Sequence, residues 1–196
     1  MRNRIGILCV ALGGVCLLAA LGLSFRNYEE ELRVERMTQE VLPELQTAIE
    51  EQAIEAPEAN DTEIAPVTIG GAEYMGYLAI PALGLELPVQ SSWSYPQLKI
   101  SPCRYAGSVS GGDLIIAAHN YKQHFARLHT LQAGDEIRLT DAAGRTFVYT
   151  VVQVGVLGNA TVEEMTSGAW DMTLFTCTYG GKSRVAVRCI AEQTAV

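Results

Sequence analysis

The sequence predicts an all-β domain, a closed or nearly closed barrel, behind an N-terminal apolar helix and a stalk. Three observations carry this. From about Ala72 onward, short apolar runs alternate with turn residues. Two of these runs are joined by tight hairpin signals, at Asp141-Ala142-Ala143-Gly144 and at Gly180-Gly181. Only 120–131 and 162–167 read as helical within that region, and many short strands with few helices favour closure of one sheet on itself.

Tyr74–Ile80 reads as a strand stopped by Pro81, and Leu85–Gln90 as a second. Gly111-Gly112 precedes the run Leu114-Ile115-Ile116-Ala117-Ala118, which ends at His119. Glu136–Thr140 and Thr146–Val156 form a long hairpin, and Met172–Cys177 with Arg184–Ala191 form another. Upstream, 27–42 is compatible with a helix that Pro43 kinks or ends. Residues 55–71 carry Pro57, Pro66, Gly70 and Gly71 and read as a linker.

The 20 residues from Ile5 to Ser24 contain no charge. That length crosses a hydrocarbon layer of about 30 Å as a helix. It reads as a retained anchor, with cleavage after the small residues Ala19 and Ala20 as the alternative. Arg2 and Arg4 precede the span and Arg26, Arg33 and Arg36 follow it, so basic residues do not set the topology. A short tail before a long domain favours a cytoplasmic N-terminus.

The formal charge of −8 is unevenly placed. Residues 25–70 hold 12 acidic and 3 basic side chains, whereas 71–196 hold 10 and 9. The division expected is an anchor over 1–25, an acidic, partly helical stalk over 26–71 and a folded domain over 72–196. A near-neutral domain has no basic footprint for nucleic acid. An acidic stalk is repelled by anionic headgroups and stands off the surface.

Of five cysteines, Cys9 and Cys16 lie in the apolar span and read as small apolar residues. Cys103, Cys177 and Cys189 remain, an odd number for an exported domain. Cys103 with Cys189 is one conceivable pair, although sequence does not supply its geometry. If Gly180-Gly181 is a two-residue loop, Tyr179 faces Lys182, Thr178 faces Ser183 and Cys177 faces Arg184. Opposed residues have Cβ atoms about 4.5–5.5 Å apart on one side of the sheet. A fixed cation beside a thiol favours the thiolate and binds a developing oxyanion. Cys189 lies five positions beyond Arg184, on the other face. A thiol nucleophile also needs a proton partner. His119, at a strand end after two alanines, is the candidate. His119, His124 and His129 are spaced five and five, a pattern that places no two on one helical face and argues against a metal site. The alternative for all these residues is structural: a buried cysteine, a surface arginine and a hydrogen-bonded histidine.

These residues match a known family. Thr173-Leu174-Phe175-Thr176-Cys177 resembles the Thr-Leu-x-Thr-Cys signature of the sortases, and Arg184 stands where they carry an arginine in the next strand. Asp113-Leu114-Ile115-Ile116-Ala117-Ala118-His119-Asn120 resembles the strand bearing their histidine. The stretch from Tyr77 to Val89 is similar to their first strands, and Gly134-Asp135-Glu136 to a recurrent strand entry. The resemblance covers nearly all of 74–191, in order.

The resemblance implies an eight-stranded β-barrel with one or two short helices and a site of Cys177, His119 and Arg184, without cofactor. It implies cleavage of a Leu-Pro-x-Thr-Gly-like sorting signal on surface proteins through a Cys177 thioacyl intermediate. An amine acceptor, from a peptidoglycan precursor or a protein lysine, then resolves it. Arg188 is a rival to Arg184, on the same face but four residues further from Cys177. Ala118, Asn120 and Thr176 are expected near the substrate. The implied location is the cell membrane, single-pass, with the domain outside. Pilin-polymerising members carry an Asp-Pro-aromatic lid, and 55–75 contain none. Class B members carry a long helical insertion before the cysteine strand, whereas Val156 and Asp171 lie only 15 positions apart here. Residues 157–170 are the expected wall of a substrate groove. Two other outcomes stay open: a cysteine peptidase that passes the thioester to water, and a membrane-anchored binding module in which Cys177 is structural.

Overall fold

A computed structural model describes residues 2–55, 65–158, 165, 168–178 and 180–192. Nine strands form one sheet: β1 (Val67–Ile69), β2 (Ala72–Ile80), β3 (Leu85–Gln90), β4 (Cys103–Ala106), β5 (Leu114–Ala117), β6 (Glu136–Asp141), β7 (Thr146–Gly158), β8 (Met172–Cys177) and β9 (Ser183–Ala191). Their order is β1-β2-β3-β4-β5-β8-β9-β7-β6, and β6 also pairs with β2. That last pairing closes an eight-stranded barrel from β2 to β9, as expected, and leaves β1 outside as a ninth strand.

Closure depends on one glycine. Gly76 pairs with Asp141 across the β2–β6 seam and has φ +145°. A Cβ there would stand 1.9 Å from the Thr140 carbonyl oxygen, so only glycine lets the two backbones meet. Inside, β2 alternates with Leu78 and Ile80 fully buried. Leu87, Ile116, Ile137, Leu139, Leu174 and Val187 complete the core. Burying each such side chain contributes about 1.5–3 kcal/mol relative to exposure. β5 is buried at all four residues, because it lies between β4 and a parallel partner, β8.

The N-terminal helix α1 runs from Arg2 to Glu55, through Pro43. Proline removes one main-chain donor and bends a helix, but it does not end this one. The helix reaches past the stretch expected from sequence because its second half has a surface to cover. Leu45 and Ile49 pack with Val67, Ile69, Tyr74 and Ala142 in a second apolar cluster. The side chain of Gln46 donates to Glu86 at 3.1 Å. Residues 67–69, assigned to the linker from sequence, add a strand to β2.

Three further readings change. Residues 120–131 form turns and a 3-10 turn at Leu128–Thr130, not a regular helix. Cys103–Ala106 is a strand that sequence alone did not separate from its loop, and Tyr95–Leu98 is a one-turn helix, α2, capped by the Ser94 hydroxyl. The helical reading of 162–167 falls outside the described residues, apart from Met165.

Candidate active site

The rim where β5 and β8 end gathers the chemistry. These strands are parallel, with Ala117 level with Phe175. Two residues further along each chain lie His119 and Cys177, so parallel register brings imidazole and thiol to one edge. Thr176 fixes that edge: its hydroxyl donates to the Ala118 carbonyl at 2.8 Å, fully buried. The Ala118 amide donates to Phe175 at 3.2 Å. Both backbone groups of Ala118 are thus engaged within the rim, and its methyl belongs to the core. Ala118 and Thr176 therefore position His119 and present no polar group outward. Asn120 is half-buried beside them.

Across the β8–β9 hairpin, Cys177 pairs with Arg184, the register expected from the two glycines. Gly180 and Gly181 have φ of 85° and 72°, which a side chain resists. The Thr178 amide donates to Ser183, and the two hydroxyls meet at 2.8 Å. Tyr179 lies outside the described residues. Arg184 donates through Nη1 to the carbonyls of Gly181 and Ser183, at 3.0 and 3.1 Å. Its charge is held by neutral acceptors at the turn. Arg188 pairs with Thr173 instead, and its guanidinium lies 5.5 Å from the Trp170 ring centroid.

The three thiols of the folded region differ. Cys177 is half-buried at the rim. Cys103 and Cys189 are free and buried, and burial pushes both thiols up to about 12. They do not form the conceivable pair. Neither supplies a thiolate near neutral pH.

Sequence reasoning missed two features. The first is an aromatic strip outside the barrel. Phe175, on the face shared with Cys177, meets Tyr105 edge-on at 5.2 Å, and Tyr105 meets Trp93 at 5.1 Å. Alternation along β8 reveals Phe175, but Trp93 and Tyr105 come from β4 and its preceding loop. The second is the support under His119. The Tyr121 ring lies 5.0 Å from His119 and 5.7 Å from His124. His124 is fully buried, and burial, then the proximity of His119, lowers it to about 4 against a weaker opposing effect of the Ile100 backbone. It is a neutral strut. The Phe125 amide, bonded to the His119 carbonyl at 3.3 Å, closes the loop. His129 stays at the surface, its Nδ1 2.9 Å from the Ala126 carbonyl oxygen. Most of the expected groove wall, 159–164 with 166 and 167, lies outside the described residues.

A hollow of about 560 Å³ lies at the opposite end of the barrel, bordered by Ser91, Arg104, Tyr149 and Asp171. Its lining includes none of Cys177, His119 and Arg184.

The fold is a closed barrel with a thiol, an imidazole and a guanidinium at one rim. The sortase domain model matches residues 78–192, more than half the chain, and the protein belongs to the sortase family. Among solved structures, sortase C1 from Streptococcus suis is 26% identical, with 64% of this chain and 76% of that one covered and a TM-score of 0.55. Sortase C from Streptococcus pneumoniae is 22% identical (79% and 97% covered, TM-score 0.58). The sortase D5 transpeptidase from Clostridium perfringens is 19% identical (81% and 98% covered, TM-score 0.58). The last two likenesses concern the fold. No curated protein matches the chain.

Proposed function

We propose that this sortase is a membrane-anchored cysteine transpeptidase in which Cys177 is the nucleophile, His119 the general acid and base, and Arg184 the oxyanion-binding cation. The observation that carries the reading is the rim register: Cys177 opposite Arg184 on one side and level with the residues leading to His119 on the other. In the first half-reaction the Cys177 thiolate attacks the carbonyl carbon of the scissile peptide bond. Arg184 stabilises the oxyanion, and imidazolium His119 gives its proton to the departing amine. A thioester and a shortened peptide result. In the second half, an incoming amine attacks the thioester, His119 takes its proton, and the thiolate leaves.

The substrate in this reading is a surface protein with a Leu-Pro-x-Thr-Gly-like signal, and the acceptor is a peptidoglycan-precursor or lysine amine. The strip Phe175–Tyr105–Trp93 offers an apolar wall for the residues before the scissile bond. Ala118 and Thr176 shape the substrate side through His119, and Asn120 borders it. The chain divides into an anchor over 1–25, an acidic segment over 26–71 and the catalytic domain over 72–196, with the domain outside a single-pass anchor.

Incubating the protein with a panel of Leu-Pro-x-Thr-Gly-like and Asn-Pro-x-Thr-like peptides, with and without an added amine, tests this by mass spectrometry. A thioacyl adduct on Cys177 that leaves as an amine-linked product supports transpeptidation. Release only as free acid replaces it with hydrolysis. No adduct, with Cys177 inert to alkylation, replaces it with a binding module.

A further inference from the structure

The direction in which α1 crosses the barrel orients the rim. Near its middle, Gln39 and Leu42 border a hollow with Gly84 and Gln123. Gly84 closes the corner between β2 and β3, and Gln123 belongs to the loop that follows His119. Arg127 of the same loop donates to the Leu83 carbonyl, so corner and loop form one end of the barrel. Further along, Ile49 and Ala53 lie over Gly144, in the β6–β7 turn. That turn is at the other end, because β7 starts beside it and finishes at Gly158, paired with Ser183 near Cys177. The helix therefore enters at the His119–Cys177 end and leaves at the far end.

Everything before the docked half projects beyond the active rim. Val34 is buried, whereas Phe25 and Tyr28 are 61% and 58% exposed. The uncharged stretch before them is also bare: Leu12, Val15, Leu18 and Leu21 are all more than 60% exposed. Ser24 to Gln39, where α1 meets the loop after His119, is 15 residues of unbroken helix, about 22 Å at 1.5 Å per residue. The headgroup layer takes up about 5–8 Å of that.

We infer that α1 is a rigid strut that turns the Cys177 rim toward the bilayer and holds it at a fixed height of about 22 Å above the hydrocarbon boundary. This rests on the reading of 5–24 as a membrane anchor, though not on catalysis. At that height, about seven extended residues of a chain emerging from the same membrane reach the rim. A signal placed many residues further out has to fold back. The length of helix between the anchor and Gln39 thus selects how far from the membrane a signal is accepted.

The test is energy transfer from a donor on the full chain to acceptor-labelled headgroups in phosphatidylcholine vesicles. One form carries the donor on Cys177, with Cys9→Ala and Cys16→Ala; the buried Cys103 and Cys189 stay unlabelled. The other carries it on Ser110→Cys, at the opposite end of the barrel, with Cys177→Ala added. Transfer is expected to be greater from Cys177. Seven residues inserted between Tyr28 and Glu29 add about 10 Å and nearly two full turns, and are expected to lower it. Equal transfer from both positions, greater transfer from Ser110→Cys, or no response to the insertion overturns the strut. None of these readouts needs turnover, so loss of the proposed activity leaves them intact. With activity in hand, the insertion is expected to spare a soluble peptide and slow a lipid-tethered one; equal rates on the tethered peptide also overturn the strut.

Discussion

The β6–β7 turn and the β8–β9 turn each set an arginine beside a strand end, and they treat it differently. In the first, Asp141 is buried and accepts from the amides of Ala143 and Arg145 and from the Arg145 Nε, at 2.8–3.0 Å. The carboxylate is saturated, and the Arg145 guanidinium is tied to it and lies over the Phe147 ring. In the second, two glycines make the bend, a pair of hydroxyls ties it, and Arg184 rests on two carbonyls. A guanidinium already neutralised by a carboxylate has little left for a ligand. One held only by neutral acceptors keeps its charge for an oxyanion. The polar network of the first turn serves stability, and in the function proposed above that of the second serves the reaction.

Removing the proposed nucleophile is expected to give the largest effect. Cys177→Ala is expected to lower peptide turnover by a factor on the order of 10⁴ or more without lowering the melting temperature, measured by amine-linked product and by calorimetry. Alkylation sharpens the contrast among thiols: the folded protein reacts at Cys177, and Cys103 and Cys189 react only on unfolding. Next, Arg184→Ala is expected to lower kcat/KM by about 10²–10³ and leave stability nearly unchanged. Asp141→Ala should do the reverse, costing about 2–3 kcal/mol in denaturant unfolding with kcat/KM preserved. If the two substitutions have the same profile, the contrast between the turns collapses.

The acid limb follows from His124. Its folded value is depressed to about 4, so the unfolded chain binds the extra proton first as pH falls from about 6.5. The stability linked to it is present above that range and declines by roughly 3 kcal/mol down to pH 4. Comparing urea unfolding at pH 7 and pH 4.5 for the wild type and His124→Leu should show a shallower decline in the variant. An equally steep one would remove His124 as the cause. The smallest effect belongs to Thr176→Val, which removes one buried hydrogen bond and should cost about 1 kcal/mol. A fall in kcat with KM unchanged would mark its action through His119.

The β8–β9 site was legible because strand pairing is arithmetic: two glycines set a loop, the loop sets the register, and Cys177 meets Arg184. His119 was legible as the end of an apolar run. A closed barrel was expected, but the seam that closes it was not legible, since Gly76 and Asp141 lie 65 positions apart in sequence. Cys103–Ala106 escaped because four residues after a proline show no alternation. The docked half of α1 escaped for a different reason. Val41, Leu45, Ala48 and Ile49 do share one helical face, but Pro43 and many glutamates hide it, and only the covered surface of Tyr74 and Ala142 explains why that face persists. His124 and the Trp93–Tyr105–Phe175 strip depend on loops folding back, which local pattern does not encode.

The glycine seam at Gly76 bears on how this protein is crowded. In the membrane-anchored form proposed above, copies meet at high two-dimensional concentration, where an open strand edge recruits a neighbour. With the seam closed, β2 and β6 have no open edge along 76–79 and 138–141, and β1, at the end of the sheet, is three residues long with α1 packed against it. A side chain at position 76 would part the seam and expose the facing edges of β2 and β6, which favours association of copies edge to edge.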